Sequence, residues 1–277
     1  MKIDAHQHFW KYDPIRGGWI DESMIAIRQD FLPTDLAPIL HQNGISGCIA
    51  VQAEQSEEET QFLLGLADKN SFIKGVVGWV DLLSDNVDQR LASLSKDKKL
   101  KGIRHIVQGE PEGFMLREDF QHGISKLEKY NLTYDILVYP NQLVEAVKLV
   151  DRFPNQPFVL DHIAKPNIKE DAISSWGVDL KRLADFPNTH CKISGMVTEA
   201  DWKNWQQDDI RPYLEVVFDS FGVDRIMFGS DWPVCLLAGK YSKVLGVVKN
   251  YIEEFSENEK TKIMGGNALR VYNLSNG

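Results

Sequence analysis

The chain of 277 residues has little cysteine, no excess of positive charge and no long apolar run, and each shortage removes a class of protein. Its three cysteines, Cys48, Cys191 and Cys235, are odd in number, far apart and without a C-x-x-C, so neither a disulfide framework nor a cysteine zinc site is expected. The formal net charge of −9 argues against nucleic acid or an anionic membrane as a partner. The one dense basic run, "KDKKLK" at 96–101, reads as a solvated loop. No apolar stretch approaches a membrane span, and "MKIDAHQHF" lacks the apolar centre of a signal peptide, so a cytoplasmic protein is expected. No Pro/Gly/Ser-rich linker interrupts the chain, which reads as one domain over 1–277.

What is present is a repeated alternation. Short β-branched or apolar runs occur at 2–6, 47–52, 74–81, 101–107, 132–139, 157–163, 190–195 and 224–231. Between them, residues 35–44, 56–70, 85–97, 117–131, 141–154 and 210–222 carry helical spacing or capping signals, and 256–272 reads as a capped terminal helix broken by Gly-Gly. Eight such units in a chain of this size predict a (β/α)8 barrel. A doubly wound open sheet is the runner-up, but no G-x-G-x-x-G follows the first strand. Residues 9–46, rich in Trp, Pro, Gly and Asp, are expected to form a loop and helix near the barrel mouth.

Active sites of such barrels lie at the C-terminal strand ends, and here those ends are full of ionisable groups. "IDAHQH" places His6 and His8 two apart, on one face of a strand, as a pair of metal ligands or catalytic groups. His162 in "LDHIAKP" and Asp231 in "FGSDWP" end later strands in the same way. An acid leaving an apolar strand needs a partner to justify its burial. Asp161, next to His162, is expected to point the other way as an orienting acid. Arg104 and His105 are adjacent, so on a regular strand only one faces the axis; at least one is expected to contact substrate, the alternative being an outward ion pair. Lys165 is a further candidate contact, and Trp10 and Trp79, just beyond strand ends, are candidate pocket walls. His41, His122 and His190 fall on helix or early-strand positions and read as surface or core residues.

The motifs "DAHQHFW", "RQDFLPTDLAPIL", "AVQAEQSEEET", "KGIRHIVQ", "FVLDHIAKP", "CKISG", "FGSDWPV" and "GGNALRVYNL" together resemble the amidohydrolase superfamily. The likeness is strongest to its amidohydrolase-related branch, which includes L-fucono- and L-rhamnono-lactonases. The resemblance spans essentially the whole chain. It implies a metal-dependent-hydrolase type of barrel holding one divalent ion, zinc first, on His6, His8, His162 and Asp231. "KGIRHIVQ" has no lysine to bridge two metals. Some members of this branch work without a metal, so activity without one stays open.

The resemblance further implies opening of a sugar-acid lactone by water, with Asp231 as general base, His162 beside it, and Arg104, His105 and Lys165 holding substrate. The expected partner is a small-molecule lactone, with no nucleic acid and no membrane, and a homodimer is left open. A metal-dependent decarboxylase of an aromatic or unsaturated acid, or a barrel that only binds a sugar acid, are the alternatives.

Overall fold

The computed structural model describes residues 1–275. Eight strands, β1 (Ile3–Gln7), β2 (Gly47–Val51), β3 (Ile73–Gly78), β4 (Leu100–Ile106), β5 (Thr133–Leu137), β6 (Phe158–Leu160), β7 (Thr189–Ile193) and β8 (Ile226–Phe228), pair in parallel and in sequence order. The sheet curls back on itself. The His8 N–H donates to the Trp232 carbonyl at 2.7 Å and the Asp231 N–H to the His6 carbonyl at 2.8 Å, so β1 meets the end of β8. The (β/α)8 barrel expected from the alternation is the observed fold.

Helices α1 (Pro33–Gln42), α2 (Glu57–Lys69), α3 (Val87–Leu94), α4 (Glu118–Leu127), α5 (Leu143–Arg152), α6 (Ser174–Ala184), α7 (Gln207–Phe221) and α8 (Tyr241–Tyr251) fill the connections. The local signals explain their ends. The Ser56 hydroxyl accepts from the Glu59 N–H at 3.1 Å, capping α2, and Gly44 adopts φ +68 just past α1. Two helices, α6 and α8, lie where the sequence carried no clear helical pattern. Their segments, "SSWGVDLKRLA" and "YSKVLGVVKNY", mix glycine and β-branched residues into the helix, and burial of Trp176, Leu180, Val244 and Val248 stabilises them instead. The chain then runs through α9 (Glu257–Thr261), a wide turn at 262–266 and α10 (Asn267–Val271), the Gly-Gly break falling inside the wide turn.

The barrel interior is layered. Ile3, Ala5, Ile49, Val51, Val77, Val159 and Met227 pack with Tyr272 and Leu274, so the C-terminal segment plugs the N-terminal end of the barrel. A larger apolar layer fills the space between sheet and helices. Among the described residues, no helix is long and apolar enough to cross a membrane.

Candidate active site

The first question is how β1 turns both histidines inward. Ala5 packs in the interior, whereas Asp4 points outward to the Tyr241 hydroxyl of α8, at 3.0 Å. Strict alternation would then send His6 outward. The register against β2 shifts between Asp4 and Gln7, and this bulge resets the phase. Gln7 consequently faces outward to the Cys48 Sγ at 3.3 Å, and His6 and His8 both face the axis. Asp4 braces this seam, accepting from the His6 and Ser230 N–H groups at 3.2 and 2.9 Å.

At the end of β6 the backbone does something L-residues rarely do. His162, Ile163, Ala164 and Lys165 all take φ between +48 and +61, a single left-handed turn. Each such residue costs on the order of 1 kcal/mol, and strain of this kind gathers at functional sites. The turn has two consequences. Asp161 and His162, which would diverge on a strand, converge on the same centre. His162 and Lys165, three apart in a tight turn, line the same cavity. The expectation that Asp161 points away is therefore corrected: its Oδ1 lies 3.2 Å from His6 Nδ1 and its Oδ2 2.9 Å from Arg104 Nη1. It orients His6 directly.

Asp231 also has a left-handed backbone, at φ +58. Gly229, two residues earlier, passes so close to β1 that a Cβ there would stand 2.6 Å from the His6 Cβ. This approach brings Asp231 Oδ1 to 3.3 Å from His8 Nε2 and 3.9 Å from both His6 Nε2 and His162 Nε2. The four residues expected to act together are brought together, all of them buried.

The hydrogen-bond partners set the tautomers. The Val51 carbonyl, 2.8 Å away, can only accept, so His8 Nδ1 carries a proton; His6 Nδ1 donates to Asp161. Each Nε2 is left with its lone pair directed inward, and the two nitrogens are 3.2 Å apart. Nitrogens bound about 2.0–2.1 Å from one tetrahedral ion stand roughly 3.3 Å apart. Two facing lone pairs with an adjacent carboxylate fit a divalent cation, and the outer anchors on both Nδ1 atoms are those of metal-binding imidazoles. Arg104 Nη1 also approaches His6 Nε2, at 3.3 Å, from the β4 side.

Electrostatics favour the same protonation states. Burial holds His6 and His162 well below the usual imidazole pKa, against the pull of Asp161 and Asp231. Burial opposes ionisation of Asp231, yet its pKa is lowered, the Lys165 ammonium acting in that direction. Beneath the cluster lies a charged layer whose cation sequence reasoning missed. Lys192 of β7 is fully buried, with Nζ 2.6 Å from Asp135, 2.9 Å from Asp161 and 3.3 Å from His6 Nδ1. A lysine inside the apolar run "HCKIS" was the available signal.

A cavity of about 410 Å³ opens above the cluster, lined by His8, Arg104, His162, Lys165 and Asp231. Arg104 thus faces the interior. Its guanidinium is also tied to Asp161 and to the Gln52 carbonyl. His105 is not in the cavity, and the expectation of a substrate contact there is corrected. Strand alternation sends it outward, where it stacks on Phe114 at 4.9 Å between ring centres and pairs with Glu110 at 2.7 Å. Trp79 goes with it, donating its Nε1–H to His105 Nδ1 at 3.3 Å, and so does not wall the cavity. Trp10 packs 6.3 Å from the His8 ring but borders a neighbouring small cleft. The aromatic wall comes instead from Trp19, Tyr139 and Trp202, with Glu199 beside Lys165. Trp19 and Met24 belong to the 9–46 segment, which does reach the mouth.

The family profile described as amidohydrolase matches residues 3–274. An L-fucono-1,5-lactonase of Burkholderia multivorans is 39% identical over 286 residues, covering 99% of this chain and 96% of the relative. One from Burkholderia ambifaria is 36% identical over 279 residues, with 99% and 96% covered. The crystal structure of a B. multivorans amidohydrolase with bound zinc matches with a TM-score of 0.97 at 39% identity, over 99% of this chain and 100% of that one. The chain belongs to the amidohydrolase family.

Proposed function

We propose that the protein is a hydrolase that opens the lactone ring of a sugar acid, of the L-fuconolactone or L-rhamnonolactone type. The observation that carries the reading is an ionised carboxylate, Asp231, facing the lone pairs of His6 and His8 at the floor of the cavity. Similarity to two L-fucono-1,5-lactonases over nearly the whole chain supplies the substrate class.

Asp231 takes the proton from an attacking water as the water oxygen bonds to the lactone carbonyl carbon. When the ring C–O bond breaks, Asp231 returns the proton to the leaving oxygen, giving a hydroxy acid. His6, His8 and Asp231, with His162 adjacent, would hold a divalent ion, zinc on this reading, which when bound polarises the carbonyl and acidifies water. Arg104 adds positive charge where the carbonyl oxygen becomes anionic. Neutral His6 and His162 make protonated histidines poor substitutes for that role. The three buried, unpaired thiols agree with a reducing, cytoplasmic setting.

Lactone hydrolysis is favoured over decarboxylation or simple binding because two near-full-length relatives, at 39% and 36% identity, are L-fucono-1,5-lactonases. The test is acid release from a panel of aldonolactones, with and without chelator. Rapid release from an L-fucono- or L-rhamnono-lactone is expected; no release from any lactone by zinc-supplemented protein would overturn the reading.

A further inference from the structure

Lys165 and Glu199 form an ion pair that the chemistry above does not use. Lys165 Nζ lies 3.2 Å from Glu199 Oε1, and both side chains are only 20% exposed on the cavity wall. Among the described residues, no other side chain hydrogen-bonds or ion-pairs with either. The ammonium has three donors and the carboxylate two oxygens, so most of their capacity is unspent. A structural role is redundant: the Lys169 N–H already donates to the Glu199 carbonyl at 3.0 Å, tying the loops after β6 and β7 together. Removing two charges from water costs more than one such contact returns, so the pair is a poor stabiliser.

Its placement suits recognition. The left-handed turn that aims His162 at Asp231 also aims Lys165 into the same cavity, beside the reacting centre. Trp202 lies next to Glu199 in that wall, its Nε1–H fixed to the Thr198 carbonyl at 2.8 Å, which sets the plane of its ring. A sugar ring offers apolar C–H faces and hydroxyl edges. An aromatic face next to an acceptor–donor pair complements both.

We propose that Lys165 and Glu199 read vicinal hydroxyls of the lactone over a Trp202 platform, and so select polyhydroxylated over plain lactones. This rests on the lactonase reading for its substrate. Glu199 accepts from ring hydroxyls and Lys165 donates to them. A lactone without hydroxyls desolvates the pair and leaves its spare donors and acceptors unsatisfied, which is how such sites reject analogues.

The test compares kcat/KM for L-fucono-1,5-lactone and for unsubstituted δ-valerolactone in wild type, Glu199→Gln and Lys165→Met. Glu199→Gln is isosteric, which guards against misfolding as the cause. The preference for the hydroxylated lactone should fall about tenfold or more in each variant, mainly through KM. An unchanged preference, or equal losses of kcat on both lactones, would overturn the proposal. Calorimetric titration with L-fuconate and with hexanoate, on the same proteins, separates it from the lactonase reading. Weakened fuconate binding in Glu199→Gln, with no lactone turnover by wild type, would remove the lactonase reading and support the pair. Equal fuconate binding by wild type and Glu199→Gln would remove the pair.

Discussion

Asp231 stands 3.3 Å from His8 Nε2 through its carboxylate, while its own N–H donates to the His6 carbonyl at 2.8 Å. One residue therefore both closes the barrel between β8 and β1 and faces the two histidines. Replacing its side chain should separate the two roles. Asn keeps the shape and tolerates the left-handed backbone, so Asp231→Asn should fold normally. Lactone turnover should drop by about 10²–10⁴-fold. Circular dichroism and steady-state kinetics on one preparation check this; near-wild-type turnover would remove Asp231 as the base.

Asp161 fixes the His6 ring through Nδ1. Asp161→Asn should weaken zinc binding by about 10–100-fold, as loss of such outer partners does. Competition with a chelating dye measures it. Unaltered affinity would mean that the ion, if bound, does not use His6.

Gly229 and Gly195 are places where backbone passes against the cluster. A Cβ on Gly229 would meet the His6 Cβ at 2.6 Å, and one on Gly195 the His162 ring at 2.6 Å, with Gly195 also at φ +64. Neither neighbour can swing away cheaply. Alanine at either position should cost about 1–3 kcal/mol in denaturant unfolding and lower zinc affinity together. A variant with wild-type values for both would contradict the packing.

Lys192 is the cation between Asp135 and Asp161, fully buried. Lys192→Met removes the ammonium and leaves the carboxylates facing each other. A loss of about 3–5 kcal/mol is expected from urea unfolding. A stable Met variant would show that Asp135 takes up a proton at little cost.

His190, on β7, is half-buried, its Nδ1 atom is enclosed and unpartnered among the described residues, and burial lowers its pKa to about 4. Its unfolded value is near 6.5, so between those limits the unfolded chain binds more protons than the folded one. Stability from this residue is complete above pH 6.5 and declines as pH falls toward 4. His190→Gln should flatten that part of the stability–pH curve. An unchanged slope in melts across this range would contradict the assignment.

The periodic parts of the fold were legible because local chemistry writes them. Apolar runs mark the strands, Ser56 and Gly44 mark helix ends, and both were readable one residue at a time. The strands read at 157–163 and 224–231 ran too long, since Ile163 and Asp231 look like strand continuations but adopt left-handed turns. No local rule dictates those turns; they hold because the neighbouring strands and loops over-determine them.

The residue types and order that the chemistry requires, two histidines, a later histidine and a final acid, belonged to the sequence alone, as did the count of β/α units. Which way each side chain faces belonged to the tertiary structure. The bulge in β1, the turn after β6 and the close approach at Gly229 set that direction for His6, Asp161 and Asp231, and the phase of β4 turns Arg104 inward and leaves His105 outside. Direction on a strand flips with a shift of one residue, and that shift is decided by packing against partners far away in the chain.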